Sequence, residues 1–330
     1  MQKSGRSALA LLLALLLLAP PAALGADKKD DKKDVSKIGE RDVGKGINLY
    51  SLEKEIALGK QLAQQVEQSA KLIDDPVITE YVDRVAQNLV RNSDARVPFT
   101  VKVIDSEVVN AFALPGGFFF VNSGLIVAAD EEAELAGVMA HEIAHVTARH
   151  GTKQATKGQL IQWATIPLIL LGPGGWAGYG IYQALSFGLP LAFLKFSRNA
   201  EREADFLGLQ YMYKAGYDPT SFITFFEKIR EKERKSPGSV PKIFSSHPPT
   251  KDRVSKAQEE IAAILPGREE YVITTSEFDQ IKQRLALTMA GRKLEEQDSD
   301  RPTLRTRERT QEEKKKEGEE DKPPVLKRRP

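Results

Sequence analysis

Four histidines occur in the 330 residues, and three of them, His141, His145 and His150, fall between positions 141 and 150. Their setting decides what they can do. Asp130, Glu131 and Glu132 supply an N-cap and first-turn acids that suit a helix dipole, and Ala133 to Arg149 contains no Gly or Pro break except Gly137. A helix is therefore predicted over this stretch. In it, His141-Glu142-Ile143-Ala144-His145 places two imidazoles one turn apart on one face, with Cβ atoms about 6 Å apart. One zinc ion can bridge that span. Glu142 projects to the side, toward water on the ion. Zinc lowers the pKa of such water from about 15.7 toward 7, and an adjacent carboxylate can take its proton while the hydroxide attacks a peptide carbonyl. The same carboxylate can later protonate the leaving amine. An amphipathic helix with incidental histidines is the plainer reading, and the scarcity of histidine elsewhere weighs against it.

Two ligands leave a catalytic zinc site one protein ligand short. The chain has no cysteine, so thiolates, disulfides and a lipid-anchored cysteine are excluded and the missing ligand is a His, Asp or Glu. Downstream, Glu201, Glu203 and Asp205 fall in a predicted helix from Asn199 to Ala215. Glu201 and Asp205 share a face, so the longer Glu can reach a metal while the Asp orients a ligating imidazole from behind. A solvated charged face is the alternative reading of this cluster. The metzincin pattern needs a turn glycine and a third ligating histidine where this chain has Ala148 and Gly151, and His150 falls one residue short of that place. A glutamate-completed zinc site is favoured.

The rest of the chain frames this site. Lys3 and Arg6 precede an apolar run from Ala8 to Ala19, followed by Pro20, Pro21 and small residues. That pattern reads as a secretory signal peptide over 1–25, cut after Gly25, and the run is too short for a comfortable span of about 20 residues. A charged linker is expected over 26–46. Helical periodicity runs from Ser51 to Gln68 and from Val77 to Val90. Strands are expected over Phe99 to Ile104, Ala111 to Leu114 and Phe118 to Val121, the last two flanking Pro115-Gly116-Gly117, as a small antiparallel sheet beside the metal helix. Further helices are expected at Thr220 to Lys232, Thr250 to Leu265 and Ser276 to Met289, with a strand at Tyr271 to Thr274. Leu160 to Phe196 is apolar but broken by glycine and proline. It reads as a lid, a surface that touches membrane, or an interior hairpin. From Leu294 the tail is charged and expected to be disordered. With a net charge of +2, the composition offers no reason for a nucleic-acid partner.

These motifs resemble the zinc metallopeptidases that include the HtpX heat-shock proteases and CAAX prenyl proteases. The likeness rests on Asn110-Ala111-Phe112 with Pro115-Gly116-Gly117, on His141 to His145, on Glu201 through Ala204-Asp205, and on His247-Pro248-Pro249 with Arg253. It spans roughly Leu49 to Ile261. The resemblance implies an α+β, helix-rich zincin domain, here over 47–265 with an extension over 266–293, holding one zinc ion per chain. It implies that Glu201, rather than Glu203, is the third ligand beside His141 and His145, with Asp205 supporting. It also brings His247 close to the site, where this residue can stabilise an oxyanion or fill zinc's open position at rest, and it makes the Asn110, Ala111 and Phe112 edge a place to bind extended peptide. The signal-like N-terminus is similar to the soluble periplasmic BepA-like branch, though the tetratricopeptide repeats of that branch are not seen here. Substrates are then exported polypeptides that are misfolded or misassembled. A zinc-bearing chaperone whose protease site is mostly latent is the rival expectation.

Overall fold

A computed structural model describes residues 31–171, 196–235, 247 and 250–299. The expected signal peptide, the part of the apolar segment over 172–195 and the tail beyond 299 lie outside the described residues. The chain divides into two compact units, Met1–Leu285 and Ala286–Pro330, and the site lies in the first.

Helices α1 (Leu52–Ser69) and α2 (Pro76–Arg91) open the fold, capped by the Ser51 and Asp75 side chains. Their apolar stripes meet the core: Ile78, Tyr81, Val82, Val85, Ala86 and Leu89 of α2 are buried, while Val77, in its first turn, is half exposed. Three strands follow, β1 (Thr100–Ile104), β2 (Ala111–Leu114) and β3 (Phe118–Asn122). The β2–β3 pair is antiparallel, as the Pro-Gly-Gly turn predicts, but β1 joins β3 in parallel, so the sheet is mixed with order β1-β3-β2. That corrects the expectation of an antiparallel sheet, and it leaves β2 as an edge. The turn depends on glycine. Gly116 and Gly117 have φ of 76° and 91°, and a Cβ on Gly117 would lie 2.1 Å from the Pro98 carbonyl oxygen.

After the short α3 (Ser123–Ala128) comes the metal helix α4 (Glu132–Thr147), every residue of which is buried. Its N-terminus is held by Glu134, whose carboxylate accepts from the Asp130 N–H at 2.7 Å, and by Ile273, whose carbonyl accepts from the Ala133 N–H at 2.8 Å. The predicted strand at Tyr271 to Thr274 is only an isolated bridge, Tyr217 to Val272. Helix α4 does not run on through Arg149. Arg149 has φ of 59°, held by its guanidinium bonds to the Glu55 carboxylate (2.7 Å) and the Tyr50 carbonyl (2.6 Å), and a new helix α5 (His150–Leu171) begins beyond it. Helices α6 (Arg198–Ala215), α7 (Thr220–Lys235), α8 (Lys251–Ile264) and α9 (Ser276–Ser299) complete the order. Helix α9 runs past the expected end at Met289, and Phe278, Ile281 and Leu285 in its first half enter the core of the first unit. Among the described residues no helix is long and apolar enough to cross a membrane.

Part of the charged linker expected over 26–46 packs against the domain. Ile38 and Val43 are in the core. Arg41 is buried against Asp94 at 2.6 Å and donates to the Gln210 side-chain oxygen at 2.6 Å, while the Tyr211 hydroxyl donates to Asp94 at 2.9 Å. Charge alone had argued for solvent, but a guanidinium with a complete set of acceptors can be buried.

Candidate metal centre

Helix α6 lies against α4 closely enough that a Cβ on Gly208 would come 3.1 Å from the His141 backbone nitrogen. This approach brings the first turns of α6 beside the histidine pair of α4. His141 Nε2 and His145 Nε2 are 3.1 Å apart, and Glu201 Oε2 and Oε1 lie 3.5 and 3.6 Å from them respectively. His247 enters from beyond α7, with Nδ1 2.8 Å from Glu201 Oε1 and 3.5 Å from His141 Nε2. One donor atom from each of His141, His145, Glu201 and His247 falls within 4.8 Å of all the others, and all four residues are buried. Two ring nitrogens facing each other at 3.1 Å repel unless a proton or a cation lies between them. Imidazole nitrogens and a carboxylate without sulfur fit a divalent metal ion.

The surrounding charges match. Burial works against ionising Glu201, yet the His141 and His247 imidazoles outweigh it and hold the carboxylate well below its ordinary range. Burial likewise disfavours protonated His141, but Asp205 and Glu201 push its pKa up to about 9. His145 is held well below the usual histidine value by burial and then by the neighbouring imidazoles. Asp205 Oδ1 is 3.0 Å from His141 Nδ1, and Arg253 grips Asp205 through two bonds of 2.7 and 2.6 Å. The same guanidinium lies 3.1 Å from Glu201 Oε2 and donates to the His247 carbonyl at 3.1 Å. Arg253 thus ties a carboxylate ligand candidate, its neighbour and the His247 backbone together. Phe196 stacks on the His145 ring with centroids 4.0 Å apart.

Glu142 lies on the other side of the donor set. Its Oε1 is 3.7 Å from His247 Nε2, and its Oε2 accepts from the Ala113 N–H at 3.3 Å. The second contact identifies the outward side of β2. Backbone groups two residues apart in a strand point the same way, so the Ala111 N–H and C=O also face away from β3. Asn110 points inward by its carbonyl, which accepts from Asn122 N–H at 2.9 Å. Asn110 and Ala111 line a small pocket with Val138, His141, Glu142, Phe222, Phe226 and His247. Phe112 is turned away from it and stacks on Phe120 at 5.2 Å. Ala111→Pro is expected to lower peptide turnover several-fold while metal content stays normal, because it removes one outward donor without breaking the β2–β3 ladder. Turnover and metal content measured on one preparation check this; unchanged turnover would exclude the edge as a peptide site.

Sequence reasoning weighed His150 and Glu203 as ligands alone and gave Phe196 no place beside the histidines. His150 Nδ1 is 2.9 Å from His145 Nδ1, and its Nε2 is 3.1 Å from Glu203 Oε2. The signal available was the third clustered histidine, which the metzincin spacing had ruled out as a ligand without suggesting another use.

A histidine pair on one helix completed by a glutamate from a second helix is the arrangement of the glutamate-type zincins. Comparison at the sequence level narrows the class: the model of Peptidase family M48 matches residues 75–261, and the chain belongs to that family. It is 30% identical over 256 residues, 76% of this chain and 52% of the relative, to the beta-barrel assembly-enhancing protease of Yersinia pestis. The protein of that name from Escherichia coli strain K12 is 30% identical over 261 residues, 77% of this chain and 52% of its own. The mitochondrial metalloendopeptidase OMA1 of Schizosaccharomyces pombe is 34% identical over 182 residues, 55% and 52% of the two chains. The chain spans about half the length of these curated relatives.

Proposed function

We propose that this chain is a zinc-dependent metalloendopeptidase that hydrolyses misfolded or misassembled exported proteins in the periplasm. The observation that carries the reading is the convergence of His141, His145, Glu201 and His247 donor atoms within 4.8 Å, with the Glu142 carboxylate alongside. A donor set of imidazoles and one carboxylate, with no thiolate, suits zinc, which would acidify water and polarise a carbonyl when bound. His141, His145 and Glu201 would hold the ion. Glu142 accepts the proton of the attacking water and returns it to the leaving amine. The outward edge of β2 pairs with an extended substrate, and the apolar walls given by Val138, Phe222 and Phe226 favour an uncharged side chain beside the scissile bond. Location rests on the Lys3, Arg6 and apolar pattern of the N-terminus and on bacterial relatives named for β-barrel assembly. Contact of the Leu160 to Phe196 segment with a membrane surface belongs to the same proposal.

A second reading has its own observation. His247 Nδ1 joins the donor set, so this imidazole can fill zinc's fourth position at rest and leave when substrate arrives, which makes the site latent and gives binding more weight than cleavage. The test is metal content of the wild type beside His141→Ala and Glu201→Gln, together with casein hydrolysis with and without a chelator. One zinc per chain, weakened in both variants, with chelator-sensitive hydrolysis, supports the protease. Absence of zinc from the wild type would sink it. A rise in turnover of His247→Ala at unchanged metal content supports latency, a fall supports oxyanion stabilisation, and no change removes both roles.

A further inference from the structure

We propose that His150 is a positioning residue for the metal ligand His145, and that Glu203 and Lys32 complete the hydrogen-bonded chain that sets the tautomer of that ring. The proposal rests on the reading of His145 as a ligand. The chain of contacts is continuous: Lys32 Nζ to Glu203 Oε1 at 2.6 Å, Glu203 Oε2 to His150 Nε2 at 3.1 Å, and His150 Nδ1 to His145 Nδ1 at 2.9 Å. His145 and His150 are 2% and 5% exposed, so water does not substitute for these partners.

Hydrogen-bond bookkeeping leaves one assignment for neutral rings. The lysine ammonium only donates and an ionised carboxylate only accepts, so Glu203 takes a proton bond from Lys32 through one oxygen and from His150 Nε2–H through the other. His150 then has a bare Nδ1, which accepts. Its partner at 2.9 Å, His145 Nδ1, must carry the hydrogen, and His145 Nε2 is left with its lone pair. That bare nitrogen is the atom that faces His141 Nε2 and Glu201 Oε1. A ring whose far nitrogen is held by a hydrogen bond is fixed in orientation and is the better ligand.

The helix break makes this possible. On a continuous α-helix residues five apart differ by about 140° in direction, so His145 and His150 could not face each other. The left-handed Arg149 between α4 and α5, φ 59°, turns His150 back onto His145. Each of the two helix-borne histidines thus has its own backing, Asp205 with Arg253 behind His141, and His150 with Glu203 and Lys32 behind His145. Lys32 lies outside the part of the chain matched to the family, residues 75–261, so the backing of His145 draws on the segment that precedes the family's own region.

The experiment uses the full mature chain and three variants, His150→Ala, Glu203→Gln and Lys32→Met. Zinc affinity is measured by competition with a chelator, melting temperature is taken on the metal-free proteins, and the ring nitrogen shifts of His145 are read by NMR without metal. His150→Ala is expected to bind zinc on the order of 10 to 100 times more weakly, with His145 shifting to a mixture of tautomers and free imidazole restoring part of the affinity. Glu203→Gln and Lys32→Met change affinity in the same direction and by less. Both alter partly exposed side chains, so they carry the test if His150→Ala fails to fold. Unchanged zinc affinity and an unchanged His145 tautomer in folded variants overturn the proposal, as does a fall in melting temperature alone. Because the tautomer is read without metal, a wild type that binds no zinc would refute the proposed function while leaving this measurement decisive.

Discussion

Glu142→Gln is expected to keep its zinc and lose hydrolysis, with turnover down on the order of 10² to 10⁴-fold. The substitution is nearly isosteric, and the amide oxygen can still accept from the Ala113 N–H that now contacts Glu142 Oε2 at 3.3 Å. What it cannot do is take a proton from water. Glu142 meets the donor set at His247 Nε2, 3.7 Å away, so the substitution is expected to leave His141, His145 and Glu201 in place. Casein turnover and metal content from one preparation check the result. Turnover within a few-fold of wild type would remove Glu142 as the base. The same variant separates the rival readings in cells: function lost with hydrolysis supports the protease, while function kept without hydrolysis puts the weight on binding.

Arg41→Ala is expected to cost about 3–5 kcal/mol of stability, the range seen when one partner of a buried ion pair is removed. For a domain of this size that lowers the melting temperature on the order of 10 °C. The Arg41 and Asp94 side chains are 1% and 0% exposed, and the guanidinium also donates to Gln210 and to the Lys32 carbonyl. Without it the donors that Asp94 keeps among the described residues are neutral, the Tyr211 hydroxyl and the Gly39 N–H. Replacing both, Arg41→Met with Asp94→Leu, should recover part of the loss, because the penalty comes from the stranded charge rather than from the pair. Denaturant unfolding of the metal-free variants checks this. A change below about 1 kcal/mol, the size of an exposed pair, would mean that residues 31–46 behave as the solvated linker their composition suggests.

Local pattern marks some of these elements and not others. Helices α1, α2, α6, α7 and α8 were visible because an apolar stripe repeats every 3.6 residues whatever surrounds it. The β2–β3 hairpin was visible because Pro115-Gly116-Gly117 can do little else. The histidine pair and Glu142 were legible for the same reason: four residues of helix bring the pair to one face. Glu201 was legible as a type of residue at a distance, though choosing it over Glu203 took the resemblance to a family. The other side of β3, where β1 docks in parallel, carries no local mark, since strand periodicity says which face is buried and not which neighbour is paired.

The sequence by itself determined what the metal-site helix presents, because His141, Glu142 and His145 lie within five consecutive residues of one regular element. Only the tertiary structure decided how they are held. Arg41 with Asp94, Asp205 with Arg253, and His150 with Glu203 are pairs separated by about 50 positions, and a charged residue in sequence looks alike whether it will meet water or a partner. Burial becomes affordable for such groups only after packing has delivered the partner, so their roles are written in the fold and not in the local pattern.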